Sequence, residues 1–160
     1  MKKSYKEIQN FKVINLIFIS LMLIITVLFV FEMGSKGKTL DLNAYVFFEL
    51  ICLAVLLLFY KMVIRIKRKT IIISFGVGLI KKKILIQEIK KETIIKKRIS
   101  GFNGLGIRNT PDGLLFNTSS GEAIVFSTKF NQKIAIVSKH IEELIKIIQN
   151  NISEIEKLSN

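Results

Sequence analysis

Two long apolar runs, then short apolar runs broken by turn residues, then one periodic stretch divide this chain into three parts. Val13 to Phe31 carries no charge, and Asn15, Ser20 and Thr26 are its polar members. Leu42 to Tyr60 is a second apolar run, in which Asn43 and Glu49 are the strongly polar positions. At 1.5 Å per residue, either run covers about the 30 Å of a bilayer core as a helix. A cleaved signal peptide has an apolar stretch of about 7–15 residues and a small-residue cleavage site; the first run is longer, and no such site follows it. The pattern predicts two retained spans, about 13–31 and 42–64. Glu32–Asp41 joins them, and so short a link makes an antiparallel hairpin.

Beyond Lys69 the period changes. Seven strands are predicted: Thr70–Phe75, Leu79–Leu85, Ile89–Lys96, Leu105–Arg108, Leu114–Asn117, Ala123–Ser127 and Lys133–Val137. Turn residues separate them. Thr110-Pro111-Asp112-Gly113 places Pro second and Gly fourth, as a type I turn prefers. Short strands at this spacing indicate a small sandwich or barrel. From Ser138 onwards, Ile141, Leu144, Ile145, Ile148, Ile152 and Ile155 share one helical face. The Ser138 hydroxyl suits a cap, and Glu142 and Glu143 suit the early turns. Asn150-Asn151 is the expected end, with a tail over 151–160. The expected fold is therefore a two-helix transmembrane hairpin within 1–69, then an all-β module over 70–150 with a C-terminal capping helix.

Charge adds orientation. The formal net charge is +13, with 50% hydrophobic residues and a mean hydropathy of +0.44. Residues 1–12 carry a net +3 and residues 61–100 a net +11, while residues 101–160 are neutral. Positive charge thus flanks the apolar runs, where anionic lipid lies, and this placement argues against a nucleic-acid partner. Lys61, Arg65, Lys67, Arg68 and Lys69 are read as interface anchors. The joining loop is neutral. The positive-inside rule then puts both termini in the cytoplasm of a bacterial cell membrane. Cys52 is the single cysteine, so no intrachain disulfide and no cysteine metal site can form.

The strand order resembles a pleckstrin-homology-like fold, seven strands followed by one amphipathic helix. Gly78-Leu79-Ile80-Lys81-Lys82-Lys83-Ile84 resembles the second strand of bacterial domains of that family, and Ile86-Gln87-Glu88-Ile89 their entry to the third. Leu105-Gly106-Ile107-Arg108 is similar to a Gly-Ile-Arg found in membrane-anchored members. Ile136-Val137-Ser138 leading into Glu142-Glu143-Leu144 resembles their strand-to-helix junction. The likeness spans about residues 66–150. It implies a binding role, with no shared catalytic residues and no cofactor.

The candidate binding residues are Lys81, Lys82, Lys83, Lys90, Lys91, Lys96, Lys97 and Arg98, suited to anionic head groups or to a protein partner. A solvated edge that discourages aggregation is the alternative. Glu49 is an intramembrane carboxylate, read as reaching the outer interface or pairing with a loop lysine. His140 lacks metal partners at any useful spacing. Cys52 lacks a base and water for nucleophilic work. Gly101-x-x-Gly104-x-Gly106 has no following Lys-Ser/Thr and no helix, unlike a phosphate loop. The expected function is a membrane-anchored interaction module, binding a membrane protein, a second copy of itself or anionic lipid. Two other classes fit less of the chain: self-immunity against a bacteriocin, and an intramembrane enzyme using Glu49.

Overall fold

In a computed structural model of the protein, described over residues 4–33, 41–100 and 104–159, a strand precedes the two long helices. β1 (Tyr5–Asn10) leads into α1 (Lys12–Met33), and α2 (Leu42–Phe59) leads into β2 (Lys61–Lys67). β1 and β2 pair antiparallel, with Tyr5 opposite Ile66 and Asn10 opposite Lys61. β3 (Thr70–Phe75) and β4 (Ile80–Leu85) complete a sheet of order β1-β2-β3-β4. The expected division at Thr70 therefore falls inside this sheet. The second span, expected to run to about residue 64, ends as a helix at Phe59. Residues 61–64 belong to β2, where Met62, Ile64 and Ile66 face inward and Arg65 and Lys67 outward, a strand's alternation.

α1 and α2 pack side by side. The Phe29 and Tyr45 rings stack at 4.3 Å between centroids. Cys52 is buried and free of any disulfide. Lys12–Phe31 and Leu42–Phe59 are long and apolar enough to cross a membrane. Their outward faces expose Leu16, Leu23, Val30, Phe47 and Leu50 among other large apolar side chains. The expected loop between them falls, at residues 34–40, outside the described residues.

The second sheet holds β5 (Ile95–Ile99), β6 (Gly106–Thr110), β7 (Gly113–Asn117), β8 (Gly121–Ser127) and β9 (Lys133–Val137), in the order β5-β8-β9-β7-β6. Every pair is antiparallel except β7 with β9. Among the described residues nine strands form two sheets that do not close into a barrel, against the seven expected. The first and last of the expected strands coincide with β3 and β9. Ile89–Lys96 does not form a strand as a unit. A 3-10 turn at Lys91–Thr93 interrupts it, and β5 starts only at Ile95. The Thr93 hydroxyl donates to Lys90 O (2.6 Å) and accepts from Ser127 N (2.9 Å), an alternative to ladder bonding.

The main core lies between the sheets. Ile64, Ile71, Ile73 and Phe75 of the first sheet meet Phe116, Ile124, Phe126, Ile134 and Ile136 of the second. α3 (Ile141–Ser159) packs Ile141, Leu144, Ile148 and Ile152 onto the same core. It runs on through Asn150-Asn151 to bury Ile152, and the Asn151 amide donates to Ile147 O (2.8 Å). A smaller cluster, including Ile99, Leu115, Ala123 and Ala135, sits on the other face of the second sheet. Over it Lys97 of β5 reaches Asp112 in the β6–β7 turn, so the sheet's two margins curl toward each other.

The helices are bolted to the first sheet. Phe11 N and the Asn15 side-chain amide both donate to Tyr60 O (3.2 Å each). In the β3–β4 turn, Gly76 N donates to Lys61 O (2.8 Å) and Val77 N to Leu57 O (3.0 Å). The turn thus satisfies a carbonyl that the end of α2 would leave open. Gly76 has φ +53° and lies against the Leu57 and Leu58 carbonyls, where any side chain would collide.

A basic sheet face as the candidate functional site

Strand register assembles the strongest cluster of charge. Lys6, Arg65, Ile72 and Lys83 form one row across β1 to β4. The next row toward the helices is Ile8, Val63, Ser74 and Lys81, and beyond it Asn10 lies opposite Lys61. At the far end Lys67 pairs with Thr70, beside Leu85. This outer face therefore carries Lys6, Lys61, Arg65, Lys67, Lys81 and Lys83, and no carboxylate among its described residues. Alternation explains the split: in β1 the side chains of Tyr5, Glu7 and Gln9 point inward and Lys6 outward.

The face ends in a strained tip. Arg68 and Lys69, the two central residues of the β2–β3 turn, have φ +50° and +59°. Left-handed backbone at both positions is the hairpin geometry that Asn-Gly fills most readily, and longer side chains there carry strain. Beside this tip Lys67, Arg68, Thr70, Ile72 and Lys83 line an open hollow of about 300 Å³. Its three cations and one hydroxyl suit a phosphate or carboxylate.

The eight lysines and arginines singled out from the sequence do not share one face. Lys81 and Lys83 lie on the basic face. Lys82 points to the other side of β4, opposite Ile73, into a hollow it shares with Asn109 and Lys133. Lys90 donates to Asn131 Oδ1 (2.9 Å), and Lys91 pairs with Glu156 (3.3 Å). Lys96 bridges Glu142 (2.6 Å) and Glu122 (3.0 Å), which hold its ammonium above the usual lysine range. Lys97 pairs with Asp112, and Arg98 is exposed on β5 opposite Glu122. Of the expected anchors, Lys61, Arg65 and Lys67 are on β2 and Arg68 and Lys69 in its turn. Lys61 Nζ also lies 4.7 Å over the Tyr60 ring. That Lys6 joins this face, beside Arg65, could be found only through the β1–β2 register.

No protein-family model, no curated protein and no solved structure matches this chain.

Behind the basic face lies a buried polar cluster. Glu7 is 5% exposed and Gln9 1%. The Glu7 carboxylate accepts from Tyr5 OH, from the Gln9 amide (2.9 Å), from Ser138 OH (2.6 Å) and from Lys139 N (2.8 Å). Gln9 also donates to Val137 O (2.9 Å) and accepts from Thr118 OH (2.8 Å). Burial, and then the hydrogen bond to Glu7, hold the Tyr5 hydroxyl well above the ordinary tyrosine range. Each partner is satisfied from inside the fold, so the cluster ties β1 to the start of α3. The Ser138 hydroxyl accepts from His140 N (3.1 Å), a capping bond just before the helix, and His140 itself is exposed.

Between the long helices, Glu49 is half-buried and accepts from Thr26 OH (3.3 Å), which also touches Tyr45 OH (3.1 Å). Among the described residues Glu49 thus meets a hydroxyl on the facing helix; the loop lysines expected as its partners, Lys36 and Lys38, lie outside the described residues. Among the described residues no group of three His, Cys, Asp or Glu side chains is placed to hold a metal.

Proposed function

We propose that this protein is a membrane-anchored interaction module that holds an acidic partner on the outer face of its first sheet. α1 and α2 are the anchor, and the two sheets with α3 form a pleckstrin-homology-like domain at the cytoplasmic surface. The observation that carries the reading is the face of Lys6, Lys61, Arg65, Lys67, Lys81 and Lys83 without an acidic side chain, attached to the helices by single residues. Tethering raises the effective concentration of a second, weak contact, so lysine–headgroup attractions of about 1 kcal/mol each suffice to orient the domain.

Anionic lipid is the first partner this supports. An acidic segment of a neighbouring membrane protein is the second, because the rows recede from the helix ends. At about 3.3 Å per strand residue, the row of Lys6, Arg65 and Lys83 lies on the order of 13 Å along the strands from Lys61. That exceeds a Debye length of about 8 Å. Lysine modification of the full chain in nanodiscs tests both. Protection of Lys61 and Lys81 in anionic but not neutral lipid, lost at high salt, supports the lipid reading. Protection of Lys6 and Lys83 only when a crosslinked acidic protein is present supports the second. Equal modification of all these lysines in both lipids, with no such protein captured, overturns the proposal.

A further inference from the structure

The β3–β4 turn carries two apolar side chains on its surface, Val77 at 57% exposure and Leu79 at 77%. Its position is fixed by the bond from Val77 N to Leu57 O. Leu57 precedes Lys61 by four residues, about 6 Å of helix. The turn is therefore level with apolar helix and not with the basic strands below.

A second contact points to the same depth. Leu105 and Ile107, at the start of β6, line a mostly apolar cleft of about 380 Å³ together with Phe18 of α1 and Val55 of α2. Phe18 lies six residues beyond Lys12, and Val55 six before Lys61, each about 9 Å inside the apolar run. Two separate loops of the sheet domain thus reach alongside the helices.

The turn is also built for an apolar medium. Gly76, Val77 and Gly78 donate their successive backbone N–H groups to Lys61 O, Leu57 O and Phe75 O. Unpaired amides would be costly in lipid. The Lys81 side chain folds along Gly78, so that its Cε and Nζ lie beside the turn.

We propose that Val77, Leu79, Leu105 and Ile107 form a wedge that sinks into the cytoplasmic leaflet beside the helical hairpin, with lipid acyl chains filling the adjoining cleft. This rests on the membrane reading above. It makes the sheet domain a partly embedded body rather than one hung beneath the bilayer.

The chain contains no tryptophan, so single-tryptophan variants report without background. The full chain is reconstituted with lipids brominated on their acyl chains. Leu53→Trp, on the exposed face of α2, tests the anchor itself. Phe130→Trp lies in the β8–β9 turn, next to Lys129, whose N–H bonds to Glu88 O beyond the far end of β4. The expected result is blue-shifted emission and loss of intensity for Leu79→Trp and Leu53→Trp, and neither for Phe130→Trp. Val77→Trp serves as the second reporter should Leu79→Trp fail to accumulate. Quenching at Leu53→Trp with both turn variants behaving like Phe130→Trp overturns the wedge and leaves the anchor standing. Absence of quenching at Leu53→Trp overturns both.

Discussion

Glu7, in the first strand, accepts a hydrogen bond of 2.8 Å from the backbone N–H of Lys139, at the entry to the last helix. The two ends of the chain are therefore joined through one buried carboxylate. Replacing it with Ala strands the Lys139 N–H and takes away the acceptor shared by the Tyr5 and Ser138 hydroxyls and the Gln9 amide. Glu7→Ala is expected to cost about 3 kcal/mol. Denaturant titration in detergent checks this, with Lys6→Ala as the exposed control that changes little.

Tyr5 gives the same cluster an alkaline limit. Its folded-state pKa is raised above the unfolded value, so its contribution is complete below the free tyrosine value of about 10. Above that pH the unfolded chain loses the proton first, and stability falls as pH rises toward the folded value. Tyr5→Phe should start less stable and fall less between neutral and alkaline pH. Thermal unfolding of both proteins across that range measures the difference; parallel curves would contradict it.

The β2–β3 turn is expected to accept a better sequence. Arg68→Asn with Lys69→Gly places the preferred residues at both left-handed positions and should raise stability by about 1 kcal/mol. The same double change removes charge at the tip. Retention on an anionic surface should weaken while the melting temperature rises, separating binding from stability.

Topology is checked by cysteine labelling in intact cells. A probe at Ser35, outside the described residues, should react from the exterior, and one at Ser119, exposed after β7, should not. Cys52 is buried and stays silent. Reaction at Ser119 would reverse the orientation.

Glu49→Gln keeps an acceptor for the Thr26 hydroxyl and removes the charge. Protein level and function are expected to remain near those of the parent, because the amide oxygen still accepts from the Thr26 hydroxyl across the two helices. Complete loss of function at normal membrane level would favour chemistry at this position.

The elements legible from sequence are those whose inward positions are all apolar. β3 shows Ile71, Ile73 and Phe75 at every second residue, and β9 shows Ile134 and Ile136. β1 shows no such signal, because its inward residues are Tyr5, Glu7 and Gln9. Their partners Ser138, Thr118 and Val137 lie more than 100 residues away. β2 was masked by its neighbour: Met62 to Ile66 prolongs the apolar run of α2, and Arg65 reads as the charge that ends a span. The same gap hid how the basic face is put together. Lys81 and Lys83 are visible as alternation, but their row needs the register with Arg65 and Lys6. Proximity along the chain pooled Lys90 to Arg98 with them, whereas in the fold carboxylates engage Lys91, Lys96 and Lys97 away from that face.

Asn10 and Lys61 face each other as register partners, though the whole helical hairpin separates them in sequence. To the sheet, that hairpin is one very long loop. Cutting the chain at Thr70 would discard two of four strands together with Glu7, and leave β3 as a raw edge. Splicing Asn10 to Lys61 through Asn-Gly would keep every strand pair, since a two-residue connection is the natural closure for this register. As far as strand pairing goes, the apolar hairpin is thereby a detachable cassette; what leaves with it is Phe11 of the core, with Ile14 and Phe59 packed beside it.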